Sequence, residues 1–291
     1  MSKMMRTVLL NIADTHCGSS TGIMVARPWQ LNDGGEYRPS QGQRKLWGLT
    51  AEICQEVRRL RLLYENTRII VVHNGDANDG NHHGTPQLVT SDTEEQERIH
   101  LDLMDEMYSI MGYGNEDDRT YYTAGTRVHV GSSEHRIAMD LGAVPFNKGK
   151  GKRDGEYAWP RLPLDVNGCL FDFAHHGFSP GNLLHTRGNA IRSKLKSMYY
   201  ERLELGVRVA RYYVSAHNHQ YRHEGIYTDK VGVVHGIISP ALQGRTHYVN
   251  KVAARNVSDL GMLVWEIEID GTDKLHDEFV QKKIDGKVVK P

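Results

Sequence analysis

Four short apolar runs in this chain end in the same way, and that recurrence constrains the fold more than any other feature. "TVLLNIADTH", "RIIVVHNGDANDG", "CLFDFAHHG" and "RYYVSAHNH" each lead straight into acidic or histidine residues beside small ones. A short apolar run bounded by polar residues reads as a buried strand. In an open α/β sheet the carboxyl ends of such strands form one crevice, so side chains distant in sequence meet there. The set delivered to that edge is Asp14, His16, Asp76, His175, His217 and His219. It mixes carboxylate with imidazole and holds no thiolate unless Cys17 joins. Such donors suit manganese, iron, zinc and similar first-row ions rather than magnesium or calcium, which prefer oxygen.

The segments between the runs set the layout. In "RKLWGLTAEICQEVRRLRLLYE", Leu46, Leu49, Ile53, Val57 and Leu60 recur at helical spacing, which predicts an amphipathic helix. Strand, helix, strand then implies parallel pairing through a right-handed crossover. Ser91 and Glu94 fit a capping box ahead of a second helix, "QERIHLDLMDEMYSIMG". "STGIMVARPWQLNDGGEYRPSQGQ" reads as a long surface loop, and "TYYTA" as a strand. "SSEHRIAMDLGA" reads as a short helix, and "KGKGKRDGE" as a basic, glycine-rich loop from Lys148. "GNAIRSKLKSMYYERLELGVRVA" is helical, with a basic first half over Arg187–Lys196 that is either a solvated face or a hold on substrate phosphates. "VGVVHGIISP" and "GMLVWEIEID" predict late antiparallel strands that close a second sheet. No repeat or linker interrupts the chain, so one domain over residues 1–291 is expected.

Composition narrows the function. Lys+Arg and Asp+Glu both number 36, which gives no electrostatic reason to expect strong nonspecific DNA binding. The three cysteines are widely separated, which suits a reducing compartment. No apolar run reaches membrane-helix length, and "MSKMMRTVLL" shows no signal peptide. The expectation is a soluble, cytoplasmic protein without a membrane partner. There is no Gly-x-x-x-x-Gly-Lys-Ser for a nucleotide-driven motor and no Gly-x-Ser-x-Gly for a serine esterase. The 16 histidines cluster beside glycines, as at His82–His83 and His175–His176, rather than scatter.

In order, Asp14-Thr15-His16, Gly75-Asp76-Ala77-Asn78-Asp79, a variant third element, His175 and Ala216-His217-Asn218-His219 resemble the calcineurin-like metallophosphoesterases. The linking segments are also similar to those of phosphoesterases from tailed bacteriophages, which would place the protein in the host cytoplasm. The resemblance implies a four-layer α-β-β-α sandwich of two mixed sheets flanked by helices. It implies two divalent ions, manganese first, with iron, zinc or nickel as alternatives. Asp14, His16 and His219 would hold one ion, and His175 and His217 the other. Asp76 would bridge them, since two cations roughly 3.5–4 Å apart need a shared anion. The reaction implied is hydrolysis of a phosphate mono- or diester by metal-bound hydroxide. Asp79 would orient a ligand histidine.

The third element departs from the family's Gly-Asn-His. Here the chain reads "YYTAGTRVHVGSSEH", with Thr126 where asparagine is expected. Either the second ion is held more weakly, or Asn78 or Asn81 makes up the contact. His129 is the candidate proton donor or phosphate binder, with His135 a second candidate. Strand alternation would turn His175 and His176 to opposite faces, leaving His176 and His83 with a supporting role or a solvated one. Cys17 reads as packing. Two other readings stay open: an end-processing DNA nuclease on the same site, and a non-catalytic, metal-stabilised binding protein. A mononuclear zinc hydrolase fits less well, because one metal needs no bridging Asp76.

Overall fold

The run Arg6–Ile12 forms a strand buried along its whole length, and the rest of the chain is arranged around it. The computed structural model describes residues 5–81, 84, 86–148, 155–181, 186–244 and 258–282. His82, His83 and all but the ends of the basic loop after Lys148 lie outside the described residues.

In chain order the elements begin with β1 (Arg6–Ile12), β2 (Trp29–Gln30), β3 (Glu36–Tyr37), α1 (Gln41–Leu62), β4 (Thr67–His73) and α2 (Thr93–Met111). Next come β5 (Arg119–Thr123), α3 (Arg127–Val130), α4 (Ser133–Asp140), β6 (Ala158–Trp159), β7 (Leu162–Val166) and β8 (Cys169–Phe173). Then follow α5 (Arg187–Glu204), β9 (Tyr212–Ser215), β10 (Arg222–Thr228) and β11 (Gly232–Ile238). Last are β12 (Asp259–Leu260), β13 (Leu263–Ile267), β14 (Asp273–His276) and β15 (Gln281–Lys282).

Two mixed sheets dominate. One has six strands in the order β14-β13-β1-β4-β5-β6, and the other has five in the order β10-β11-β9-β8-β7. In the first, β1, β4, β5 and β6 run parallel, with Ile12 level with His73. In the second, β8, β9 and β11 run parallel between antiparallel edges. The parallel pairing expected of the first two runs is therefore present, with α1 as the crossover.

Side-chain alternation sorts the core. Val8, Leu10, Ile12, Ile69 and Val71 pack with Leu46, Ile53, Val57 and Leu60 of α1 and Ile99, Leu103 and Met107 of α2. Their neighbours Leu9, Ile70 and Val72 pack instead with Phe171, Phe173, Val214 and Trp265. Central strands covered on both faces read as unbroken apolar runs for this reason. Ile191, Leu195 and Tyr199 of α5 pack on Tyr213, Ile226, Val234 and Ile238 of the five-stranded sheet. Each fully buried aliphatic or aromatic side chain contributes about 1.5–3 kcal/mol.

Three expectations are corrected. β13 does not close a second sheet; it joins the first, antiparallel to β1, where Leu263, Val264, Trp265 and Ile267 are buried. The cap of α2 is Asp92, one residue after Ser91, and its carboxylate accepts from the Glu94 backbone N–H at 3.0 Å. An anion at this position also suits the helix dipole. The segment before α1 is not all surface, because Ile23, Met24 and Val25 are buried in the helix-side core. It then turns through the β2–β3 hairpin, and Ser40 and Gln43 form the capping box that starts α1.

Candidate metal centre

The ladder between β1 and β4 continues past their ends. Asn74 N–H donates to Ile12 O, Asp14 N–H to Gly75 O, His16 N–H to Asp76 O and Cys17 N–H to Ala77 O, all at 2.7–3.0 Å. The two loops thus travel side by side while their backbones kink. Asp14 (φ 51°), His16 (φ 43°) and Asp76 (φ 55°) lie in the left-handed region, as do His217 (φ 71°) and His219 (φ 51°) after β9. Among the described non-glycine residues only Asn66 and Asn167 share that conformation. A side chain there costs about 1–3 kcal/mol and persists where surrounding structure over-determines it, typically at functional sites. Gly75 (φ 87°) has no such option, since a Cβ would lie 2.3 Å from His175 Nδ1. Gly125 is equally confined, with a Cβ position 2.4 Å from the Asp76 nitrogen.

The kinks bring the expected side chains together. Asp14, His16 and His219 form one group whose ligand-capable atoms lie within 4.8 Å of one another. Asp14, Asp76 and His175 form a second, and His16, Asp76 and His129 a third. His219 Nε2 stands 3.4 Å from Asp14 Oδ1. Asp76 Oδ2 lies 3.1 Å from His175 Nε2 and 3.8 Å from His16 Nε2. The His217 backbone N–H donates to Asp14 Oδ2 at 3.1 Å, which ties the loop after β9 to the loop after β1.

Hydrogen bonds decide which nitrogens face inward. Asp79 Oδ1 accepts from His16 Nδ1 at 3.0 Å and from Gln243 Nε2 at 3.2 Å. His175 Nδ1 donates to Asn74 O, and His129 Nδ1 to Asp79 O, both at 2.8 Å. A carbonyl or ionised carboxylate only accepts, so each Nδ1 carries the proton and Nε2 is left for another partner. Asp14 Oδ1 and His16 Nε2 are buried and make no hydrogen bond within the protein. Two orphaned acceptors in one Asp-His-His group fit a cation.

The fourth group is the surprise. His175, His176 and His217 gather their nitrogens within 4.8 Å. β8 ends at Phe173, so strand alternation no longer governs positions 175 and 176, and both imidazoles face the same cluster. Thr126 stands at its middle: its N–H donates to Asp76 Oδ1 at 2.6 Å and its hydroxyl to Asp76 Oδ2 at 3.2 Å.

Charge follows geometry. Burial opposes ionisation of Asp14, but the positive charges of His219 and His175 hold its carboxyl below the usual carboxylate range. Burial likewise resists ionisation of Asp76, and the hydrogen bond and charge of His175 overcome it. Burial disfavours the His175 imidazolium, yet Asp76 and Asp14 raise it to about 10. His16 is also raised, by Asp79 and Asp76 against burial. Burial and the nearby His175 charge lower His176 and His217 instead.

Some candidates point elsewhere. His135 Nδ1 accepts the backbone N–H groups of Tyr157 and Ala158 at 3.1 and 3.2 Å, which holds the ring against β6 rather than in the cluster. Asn78 Oδ1 accepts from the Ser133 hydroxyl at 2.7 Å, so its carbonyl is already engaged. Cys17 is buried, its thiol held against Ile23 O and His100, and burial pushes its pKa up. His83 lies outside the described residues.

Sequence reading also missed supports. Buried Glu134 accepts from Gly125 N–H at 2.5 Å and Ala77 N–H at 3.2 Å, clamping the Asp76 and Thr126 loops together. Burial and the Asp76 charge raise its pKa to about 7. His100 of α2 touches Ala77 O, the Thr15 hydroxyl and the Tyr122 hydroxyl. A histidine on the apolar stripe of α2 was the available signal for it.

No protein-family model matches the chain, and no curated protein does. Solved structures match loosely. One is a conserved uncharacterized protein, a predicted phosphoesterase, from Streptococcus pneumoniae: 11% identity, 94% of this chain and 99% of that one, TM-score 0.31. Another is a Thermotoga maritima protein solved by NMR: 12% identity, 95% of this chain and 99% of that one, TM-score 0.34. Likenesses this loose establish neither fold nor activity.

Proposed function

We propose that the chain is a dinuclear metal-dependent phosphoesterase acting on a phosphate mono- or diester. The single observation that carries this is the position of Asp76. Its carboxylate belongs to groups on both sides, 3.1 Å from His175 Nε2 and 3.8 Å from His16 Nε2. One carboxylate shared by two donor sets is what seating a pair of cations requires. The core clusters on both faces of each sheet support the four-layer α-β-β-α arrangement in one domain over 1–291, as calcineurin-like phosphoesterases have.

In this reading Asp14, His16, His219 and Asp76 hold one ion, and Asp76, His175 and His217 hold the other, with manganese, iron, zinc or nickel as occupants. Ions held there would polarise a phosphoryl oxygen and lower the pKa of bound water. Asp79 fixes the His16 tautomer. Glu134 keeps the Gly125–Thr126 turn against Asp76. His129, held through Nδ1 with its ring 4.8 Å from that of His16, donates a proton to the leaving oxygen or binds the phosphate. His176 and His217 are exposed, so an ester could reach the cluster from solvent.

The test is metal analysis with turnover. The purified protein should bind two ions per chain and cleave a chromogenic phosphodiester with manganese present. Asp76→Asn should abolish turnover and keep the far-ultraviolet circular dichroism. Cleavage of linear DNA but not the small ester would make it a nuclease; metal without cleavage of either would make it a binding protein. Near-full activity in Asp76→Asn would remove the bridging role.

A further inference from the structure

The second cluster holds a geometry that a hydroxyl cannot satisfy. Thr126 Oγ1 lies 3.3 Å from His175 Nε2, 3.4 Å from His176 Nε2 and 3.2 Å from His217 Nδ1, and 3.2 Å from Asp76 Oδ2. A hydroxyl offers one proton and two lone pairs, so four converging partners exceed what it can pair. Beside that hydroxyl, the His175, His176 and His217 nitrogens lie within 4.8 Å of one another and Asp76 Oδ2 is 3.1 Å from His175 Nε2, a donor set that fits a cation.

The backbone sets this convergence. Ala174 N–H donates to Val214 O at 3.0 Å and Ala216 N–H to His175 O at 2.9 Å, so the loops after β8 and β9 run side by side. The rings of His176 and His217 meet at 4.4 Å between centroids, those of His175 and His176 at 4.8 Å. His175 Nδ1 is committed to Asn74 O, which leaves its Nε2 for the shared region.

We infer that His176 is a ligand of the second ion, and that it makes the two metal positions unequal. This rests on the dinuclear reading above. The position built by Asp14, Asp76, His16 and His219 offers two carboxylates and two imidazoles. The position built by His175, His176, His217 and Asp76 offers three imidazoles and one carboxylate. Nitrogen-rich surroundings favour cobalt, nickel or zinc over manganese, while oxygen-richer ones tolerate manganese. The second position is therefore selective for a borderline ion.

Cobalt(II) is the probe, added to the metal-free full chain and followed by visible absorption and by metal content after desalting. Wild type should take up two ions, and manganese should displace cobalt readily from one position only. His176→Ala should weaken one binding phase at least tenfold and leave the other unchanged, whereas Asp14→Asn should weaken the opposite phase. Because His176 is exposed, circular dichroism of His176→Ala should match wild type. Wild type and His176→Ala binding cobalt identically in both phases would overturn the ligand role alone, whatever happened to turnover. Wild type binding no cobalt would overturn the dinuclear reading and this inference together.

Discussion

Asp79 Oδ1 and His16 Nδ1 are 3.0 Å apart, both buried, and this one contact determines which His16 nitrogen can meet a metal. Carboxylate partners of this kind set tautomer and ring orientation, and losing one typically costs about 10–100-fold in metal affinity. Asp79→Ala should lower cobalt affinity at the Asp14 position by about that factor. Isothermal titration checks it. Unchanged affinity would show that Gln243 and packing suffice to orient His16.

His129 is held by the Asp79 carbonyl and lies against His16. His129→Ala should cut turnover about 100-fold, in the range of a general acid, while two ions remain bound. Metal content and kcat measured on the same sample decide it. Loss of an ion would make His129 a ligand.

Metal uptake should release protons. Without an ion, the carboxylates of Asp76 and Asp14 raise His175 to about 10, so at pH 7 it carries a proton that coordination must displace; His16 is shifted in the same direction by Asp79 and Asp76. Apparent affinity should climb with pH up to about 10, by about tenfold per pH unit for each proton released. In the metal-free chain the His175 proton stabilises the fold fully below the ordinary imidazole value, and that contribution fades as pH rises towards about 10. Calorimetry in buffers of different ionisation enthalpy counts the protons. A count of zero would contradict the pairing of His175 with Asp76.

Far from the centre, Asp118 is a stability test. Its carboxylate accepts from Arg61 at 3.1 Å and from the backbone N–H groups of Ile69, Gly114 and Asn115 at 2.8–2.9 Å. Arg61 and Asp118 are both buried. Asp118→Ala leaves a buried guanidinium without its carboxylate, with Gly112 O still accepting from it at 2.6 Å, and should cost about 3–5 kcal/mol. Urea unfolding at fixed metal concentration measures it, and a loss below about 1 kcal/mol would show that Arg61 finds another partner.

The strands and helices that carry the centre were legible because their burial is local and periodic. β1, β4, β8 and β9 lie where the apolar runs are, and Asp14, His16, Asp76, His175, His217 and His219 follow them directly. What sequence could not show was set by contacts distant along the chain. β13 pairs with β1 across the whole length of the protein, and Gln243 reaches Asp79 over 164 positions. The facing of His176 was hidden because a period of two does not extend beyond Phe173, where the strand stops, and the rings of His175 and His176 both lie beside His217. Glu134 carries no local mark, since its work is to catch two backbone N–H groups from other segments.

The left-handed backbone at Asp14, His16, Asp76, His217 and His219 has an effect on capture itself. Chain segments bent this sharply, and laced to one another by main-chain bonds, have given up their freedom before any guest arrives. Entry then costs little further ordering, and the strength of attachment reports attraction between donor and guest almost undiluted.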